Sequence, residues 1–154
     1  MSEKEIEVYG KQVDEIKIRP YEHHAKYYET DQMGIIHHSN YIKWMEEARI
    51  EAMNQMGYPY RRFEEEGFIS PVLAVNCEYK KSVCFDEKVK IKVFLKEIGR
   101  VKFTLGYEIY NMSQDNRLSA VGSSTHCFLK KGGRPVLIDK EMSEFVAALQ
   151  KMNV

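Results

Sequence analysis

The chain has 154 residues, of which 44% are apolar and 30% are charged, and its 23 basic residues balance 23 acidic ones. This length predicts one globular domain with a core of its own, and the balanced charge argues against nucleic acid or an anionic membrane as partner. The longest apolar run, around Pro71 to Val75, is too short to span a bilayer, and the first residues lack the apolar core of a signal peptide. We therefore expect a cytoplasmic protein.

The cysteines, Cys77, Cys84 and Cys127, are odd in number and form no Cys-x-x-Cys pair. This pattern argues against a disulfide framework and against a zinc site. We expect buried structural thiols, no metal ion and no cofactor.

We expect the chain to divide into an N-terminal extension, residues 1–19, and a single domain, residues 20–154. Residues 8–18 contain enough apolar positions for one short element. From His24 to Thr30 the residues are aromatic and polar, which is typical of a strand that leads into a loop. That loop carries Asp31 and Gly34.

A long amphipathic helix follows the loop. Ser39 or Asn40 can cap its start, because either side-chain oxygen accepts a free N–H of the first turn. The helical pattern stops at Gly57, and a shorter helix is predicted for residues 60–66. Apolar residues of the long helix recur at spacings of three and four, which predicts a buried face. That face consists of Tyr41, Trp44, Met45, Ala48, Ala52 and Met56.

After Gly67 the pattern changes to the period of two that strands have. Lys88 to Val93 alternate strictly between lysine and an apolar residue, which predicts a strand with one wet and one dry face. Gly99-Arg100 predicts a tight hairpin turn. The expected strands are 68–79, 88–98, 101–110 and 118–131, with 135–138 extending the last, followed by a helix at 140–152. These elements define an α+β domain in which an antiparallel sheet wraps around the long helix.

This order of residues resembles the hotdog-fold acyl-CoA thioesterases of the 4-hydroxybenzoyl-CoA thioesterase class. That class includes the short-chain acyl-CoA thioesterases encoded beside bacterial Tol-Pal proteins. The resemblance spans roughly residues 21 to 150 and rests on several features in the same order. They are an aromatic strand, Thr30-Asp31, Gly34, Asn40-Tyr41, Glu47-Ala48-Arg49, the Phe85-Asp86 turn, Arg100 with Phe103, and Gly133-Arg134-Pro135.

The resemblance implies that Asp31 is the catalytic carboxylate and that the backbone N–H near His38, at the helix start, polarises the thioester carbonyl. It also implies that the His38 ring orients water or contacts the acyl chain. His37 replaces the usual aromatic residue of the short-chain branch, which leaves the acyl preference open. We expect His37 and Tyr41 to contact the substrate.

Two further expectations come from the resemblance. Arg100 and Lys102 match a basic region of the family, which implies that they bind the phosphates of CoA. Hotdog domains associate through their sheets with active sites between subunits, which implies a homodimer or a homotetramer.

The chemistry of thioesters supports this hypothesis independently. Carboxylates are ionised at neutral pH, and a thiol departs as thiolate without a strong general acid. One carboxylate and an oxyanion site at a helix N-terminus are therefore sufficient in principle. Whether Asp31 attacks directly or acts as general base for water stays open.

Other interpretations carry less weight. Asp31 alone is typical of a turn, and Glu64, Glu65 and Glu66 form a charge run typical of a solvated face. Adjacent His37 and His38 lack a further ligand at metal spacing. A hotdog protein that binds acyl-CoA or an acyl carrier without turnover remains the alternative, whereas a dehydratase would need a different acid/base pair.

Overall fold

The computed structural model describes residues 6–8, 11–13 and 16–153. Short 3-10 turns lie at Tyr27–Glu29 and Met112–Gln114. The strands are β1 (Ile6–Val8), β2 (Lys11–Val13), β3 (Ile16–Lys17), β4 (Tyr21–His24), β5 (Phe68–Ile69), β6 (Val72–Tyr79), β7 (Lys88–Ile98), β8 (Lys102–Asn111), β9 (Arg117–Cys127), β10 (Leu129–Lys130) and β11 (Met152–Asn153). The helices are α1 (Ser39–Gln55), α2 (Tyr60–Glu65), α3 (Ile138–Glu141) and α4 (Ser143–Lys151).

The main sheet has five strands in the order β4-β7-β8-β9-β6, and all its pairings are antiparallel. Helix α1 packs across one face of this sheet. The contact is close at Gly122 of β9, where an added Cβ atom would lie 2.6 Å from the Met45 sulfur and 2.7 Å from the Asn76 carbonyl oxygen. A helix laid against such a sheet is the expected α+β architecture.

The buried face of α1 is confirmed. Trp44, Met45, Ala48 and Ala52 are at most 2% exposed. The alternation predicted for β7 is confirmed as well. Its apolar side chains Val89, Ile91 and Val93 are buried, and the intervening lysines lie on the outer face.

The hairpin between β7 and β8 is confirmed. The Gly99 N–H donates to the Lys102 carbonyl at 2.8 Å and closes a turn around Arg100 and Val101. Ile98 and Phe103 form the last strand pair before it.

Several boundaries differ from the expectation. The strand before the Asp31 loop is β4, Tyr21–His24, and not 24–30, because residues 27–29 form a 3-10 turn. Neither Ser39 nor Asn40 caps α1, since both lie within it and no side chain caps its start. The expected strand 68–79 divides into β5 and β6 at Ser70-Pro71, where proline cannot donate a ladder hydrogen bond.

The end of the chain differs too. Pro135 makes one bridge to Leu129, but Ile138 begins α3 instead of extending a strand. The expected terminal helix is two helices, because Met142, at φ −134° and ψ 42°, interrupts the helical backbone. Strand β11 pairs in parallel with β3, so residues of the expected extension contact the end of the chain. The division between residues 19 and 20 stays a prediction.

The thiols are free and differ in exposure. Cys127 is buried and Cys77 is partly buried, but Cys84 is exposed, so the expectation of a buried thiol is wrong there. In the part of the chain that the structure describes, no helix has both the length and the apolarity needed to cross a membrane.

Candidate active site

The loop before α1 is a tight turn that holds Asp31. The Asp31 N–H donates to the Ile35 carbonyl at 2.9 Å, and the Gly34 N–H donates to the Asp31 carbonyl at 3.0 Å. Gly34 has φ +80°, a conformation that glycine adopts without strain. The Met33 N–H donates to Asp31 Oδ1 at 2.8 Å. These hydrogen bonds fix the position of the Asp31 carboxylate, and the residue is half-buried.

A buried carboxylate, Glu29, anchors this turn to the core. It is 5% exposed and accepts hydrogen bonds from Trp44 Nε1 at 2.8 Å and the Lys26 N–H at 2.7 Å, and its Oε1 lies 2.9 Å from His23 Nε2. Burial alone would raise the pKa of Glu29, but the hydrogen bonds from His23, Lys26 and Trp44 outweigh it and lower the pKa. The sequence reasoning missed Glu29, and the available signal was an acidic residue inside an aromatic segment next to Thr30-Asp31.

The backbone of Glu29 also positions the start of α1. Its carbonyl accepts the His37 N–H at 2.8 Å and the Asn40 Nδ2 at 2.9 Å. Asn40 thus stabilises the helix start from within the helix, although not as the cap that was expected. The Asp31 turn and the α1 N-terminus are consequently fixed to each other.

One cleft, with a volume of about 260 Å³, brings Asp31, His38 and Tyr41 together. Its other lining residues are Met33, Ile35, Ile36, Tyr79, Lys80, Lys81 and Ser82. The Tyr79 hydroxyl donates to the His38 carbonyl at 2.9 Å. Among the residues described, no protein acceptor engages the His38 N–H.

Tyr41 forms a wall of this cleft and is 3% exposed. Burial raises the pKa of its hydroxyl to about 12, against a hydrogen bond with the Val83 backbone that lowers it. Its ring meets that of Tyr79 edge-on, with 5.0 Å between centroids. Tyr41 is therefore a neutral, rigid surface.

His37 lies outside the cleft lining. Its ring stacks on that of His38, with 4.1 Å between centroids, and its Nδ1 lies 2.8 Å from Ser39 Oγ. His37 therefore supports the His38 ring from behind. Across the described residues, no cluster of three or more His, Cys, Asp or Glu side chains is arranged to hold a metal ion.

Arg100 and Lys102 lie far from Asp31 in the same chain. Tyr79, which lines the cleft, pairs with Ala120 of β9, and Ala120 pairs in turn with Ile109 of β8. Lys102 precedes Ile109 by seven positions, or about 23 Å along the strand. Arg100 forms an ion pair with Asp139 instead, with 3.2 Å between Nε and Oδ2.

A second cavity, the aromatic pocket, lies at this distant end of the sheet and has a volume of about 320 Å³. It lies between the C-terminal half of α1, the start of β6 and the end of β9. The residues lining it are Glu46, Arg49, Ile50, Met53, Tyr58, Tyr60, Phe63, Ser70, Val72, Phe103, His126, Phe128 and Phe145. Sequence reasoning did not identify this pocket, because its walls come from six separate segments.

A long helix on an antiparallel sheet, with a carboxylate in the turn before the helix, defines a hotdog-fold protein. The model of the thioesterase-like superfamily matches residues 26–146, and the chain belongs to that family.

Individual relatives agree with this assignment. A Bacillus subtilis (strain 168) protein named "Putative acyl-CoA thioesterase YneP" is 34% identical over 128 residues, which cover 82% of this chain and 91% of that protein. The crystal structure of a DHNA-CoA thioesterase from Staphylococcus aureus superposes with a TM-score of 0.79 at 34% identity, covering 88% of this chain and 90% of that one. A hypothetical protein from Aquifex aeolicus gives a TM-score of 0.76 at 33% identity, covering 85% and 98%.

Proposed function

We propose that this protein hydrolyses acyl-CoA thioesters to a free carboxylic acid and CoA. The observation that carries the proposal is that Asp31 and His38 line one cleft, while no acceptor among the described residues engages the His38 N–H. The relatives support acyl-CoA as the substrate, since one is named "Putative acyl-CoA thioesterase YneP" and another is a DHNA-CoA thioesterase.

The reaction needs a base or nucleophile, and it needs a hydrogen-bond donor that stabilises the oxyanion. As general base, Asp31 takes a proton from water, the water oxygen attacks the carbonyl carbon, and the carbonyl oxygen becomes an oxyanion. The His38 N–H donates to that oxyanion, where a donor at a helix N-terminus is favourable. Collapse of the intermediate breaks the C–S bond and releases CoA as thiolate, which then takes up a proton.

As nucleophile, Asp31 forms a mixed anhydride with the acyl group and expels the thiolate directly, and water hydrolyses the anhydride afterwards. Both routes need the ionised carboxylate that the Met33 N–H orients. In both, the His38 ring faces the reacting water and Tyr41 excludes solvent from one side.

The proposal includes a homodimer formed through β6. Within the described residues β6 is paired on one side, and Val72, Leu73, Val75 and Tyr79 are 42–47% exposed along it. An exposed strand edge of eight residues, four of them large and apolar, is a template for pairing with another chain. Antiparallel pairing of two β6 strands about a two-fold axis joins the two sheets, and a tetramer would be a further pairing of such dimers.

This dimer would complete the site. Because the strands run in opposite directions, the Val72 end of one β6 lies beside the Tyr79 end of the other. The aromatic pocket of one subunit then faces the Asp31 cleft of its partner. Arg100 and Lys102 come from the same end as that pocket, so we propose that they bind the CoA phosphates of a substrate cleaved by the partner's Asp31.

The test is thiol release from short, long and aromatic acyl-CoAs by wild type and Asp31→Asn. We expect turnover to fall by about 10²-fold to 10⁴-fold, while acyl-CoA binding is retained. Asp115→Asn is the matched control, because Asp115 lies in a left-handed turn where asparagine is equally suited. Binding without turnover in all three proteins would identify the non-catalytic binder instead.

A further inference from the structure

The aromatic pocket has a polar wall that the proposed reaction does not use. The Tyr107 hydroxyl lies 2.6 Å from Ser124 Oγ, which lies 2.6 Å from His126 Nε2. These three side chains are at most 2% exposed, and His126 lines the pocket. In the described part of the chain, no protein group bonds to the other ring nitrogen of His126.

Arg49 brings a positive charge to this wall. Its side chain is 17% exposed, and its nearest carboxylate oxygen is Glu46 Oε1, 3.7 Å from Nη2, on a side chain that is 61% exposed. Burial raises the pKa of the Tyr107 hydroxyl, and the positive charge of Arg49 acts in the opposite direction. Arg49 is therefore mostly shielded from solvent, and its ion pair with Glu46 is long and partly exposed.

His126 adds no second charge. Burial, followed by the nearby charge of Arg49, lowers its pKa to about 4, so the imidazole is neutral at physiological pH. The Arg49 guanidinium and the neutral His126 imidazole both line the pocket and can donate hydrogen bonds, and the Ser124 and Tyr107 hydroxyls lie behind the imidazole. Among the described residues, the carboxylate nearest to Arg49 is that of Glu46, which also lines the pocket and is mostly exposed to solvent.

We propose that the aromatic pocket binds an acyl group that ends in a carboxylate, so that the substrate is the CoA thioester of a dicarboxylic acid. The carboxylate binds the Arg49 guanidinium through two parallel hydrogen bonds, and the His126 ring supplies a further polar contact. The apolar side chains of the pocket contact the methylene chain. This inference rests on the proposed function and on the facing pocket of the partner subunit.

Two features favour a carboxylate over a plain alkyl or aryl group. Placing a purely apolar group against Arg49 would remove its remaining hydration without replacing it, which is costly for a buried charge. A carboxylate matches the planar fork of arginine, and such charge-assisted pairs are about twice as strong as neutral hydrogen bonds. Recognition at the far end of the acyl group would also set its length.

The experiment compares acyl-CoAs of equal length with and without the terminal carboxylate. Adipoyl-CoA and hexanoyl-CoA are bound to the Asp31→Asn protein in calorimetry, alone and combined with Arg49→Met or Arg49→Lys. We expect adipoyl-CoA to bind about 10-fold to 100-fold tighter than hexanoyl-CoA, and Arg49→Met to abolish this ratio. Arg49→Lys should keep part of it, because lysine retains the charge without the fork.

Equal affinities for the two thioesters, or a ratio that Arg49→Met leaves unchanged, would overturn the proposal. Tighter binding of 4-hydroxybenzoyl-CoA than adipoyl-CoA would overturn it in favour of a phenol. If Arg49→Met does not fold, Ser70→Asp supplies the same test, since a carboxylate inside the pocket should compete for Arg49 and erase the ratio. Because binding is measured without turnover, failure of hydrolysis and failure of this specificity are separate results.

Discussion

The indole N–H of Trp44, in the buried face of α1, donates to the Glu29 carboxylate with 2.8 Å between Nε1 and Oε2. This pair joins the centre of the helix to the turn that carries Asp31, since Thr30 alone separates Glu29 from Asp31 in the chain. The position of the candidate carboxylate therefore depends on a buried charge that does not itself face the cleft.

Replacing Glu29 by glutamine should destabilise the folded protein. Glutamine keeps the shape but accepts through one oxygen, so one of the donors from Trp44, Lys26 and His23 loses its partner. We expect the free energy of unfolding to fall by about 1–3 kcal/mol. Urea denaturation measures this, and Glu22→Gln, at an exposed position on β4, is the control. A Glu29→Gln protein as stable as wild type would contradict the proposed anchoring role.

The same carboxylate predicts a pH dependence. The folded-state pKa of Glu29 lies below its ordinary value of 4.5, so the unfolded chain binds the proton more readily. The stabilisation from ionised Glu29 is therefore complete above pH 4.5 and disappears as pH falls through the folded-state pKa. We expect wild type to lose more stability than Glu29→Gln between pH 6 and pH 3. Parallel stability curves for the two proteins would refute this.

The sequence predicts the elements that periodicity controls. The buried face of α1 and the alternation of β7 follow from the spacing of apolar residues, because burial on one face imposes the period. The Gly99-Arg100 turn follows from local turn chemistry. Asp31 and His38 could be placed near each other because only a short loop separates them.

Relationships that depend on long-range packing could not be predicted in this way. Glu29 pairs with Trp44 because the turn folds back onto the helix, and nothing in the local pattern indicates that contact. The distance from Arg100 to the cleft depends on the register of three strands. The aromatic pocket likewise requires the packing of α1 on β6 and β9 before its walls exist.

Gly122 should be essential for the packing of α1 on the sheet. An alanine Cβ there would meet the Met45 sulfur, which can move, and the Asn76 carbonyl oxygen at 2.7 Å, which belongs to the neighbouring strand. We expect Gly122→Ala to lower the free energy of unfolding by about 1–3 kcal/mol. Gly99→Ala is the matched control, because its Cβ would lie 3.6 Å from its nearest neighbour. If a denaturant titration showed Gly122→Ala to be as stable as wild type, the sheet would accommodate the methyl group without cost and the prediction would be wrong.

Two pairs of basic residues, at opposite ends of the sheet, are candidates for binding the CoA phosphates, and substitutions distinguish them. If Arg100 and Lys102 bind the phosphates, then Arg100→Gln with Lys102→Gln should raise KM for acyl-CoA about 10-fold, because each lost phosphate contact weakens a charge-assisted bond. An N-acetylcysteamine thioester lacks the nucleotide, and its kinetics should be unaffected. Lys80→Gln with Lys81→Gln is the comparison, since both lysines line the Asp31 cleft of their own chain. A larger KM effect from that pair would assign the phosphates to it.

A charge on the exposed edge of β6 should separate the subunits and stop catalysis together. Val75 is 42% exposed near the middle of β6, so Val75→Arg would place two like charges close to the two-fold axis of the proposed dimer. We expect the molar mass from size-exclusion chromatography with light scattering to halve, and thiol release to fall because the aromatic pocket no longer faces the partner's Asp31. Phe85→Arg, at a 50% exposed position in a turn away from β6, should leave the molar mass unchanged. A monomeric Val75→Arg protein with full activity would show that one chain contains the whole site, and the partner's pocket would then have no part in the reaction.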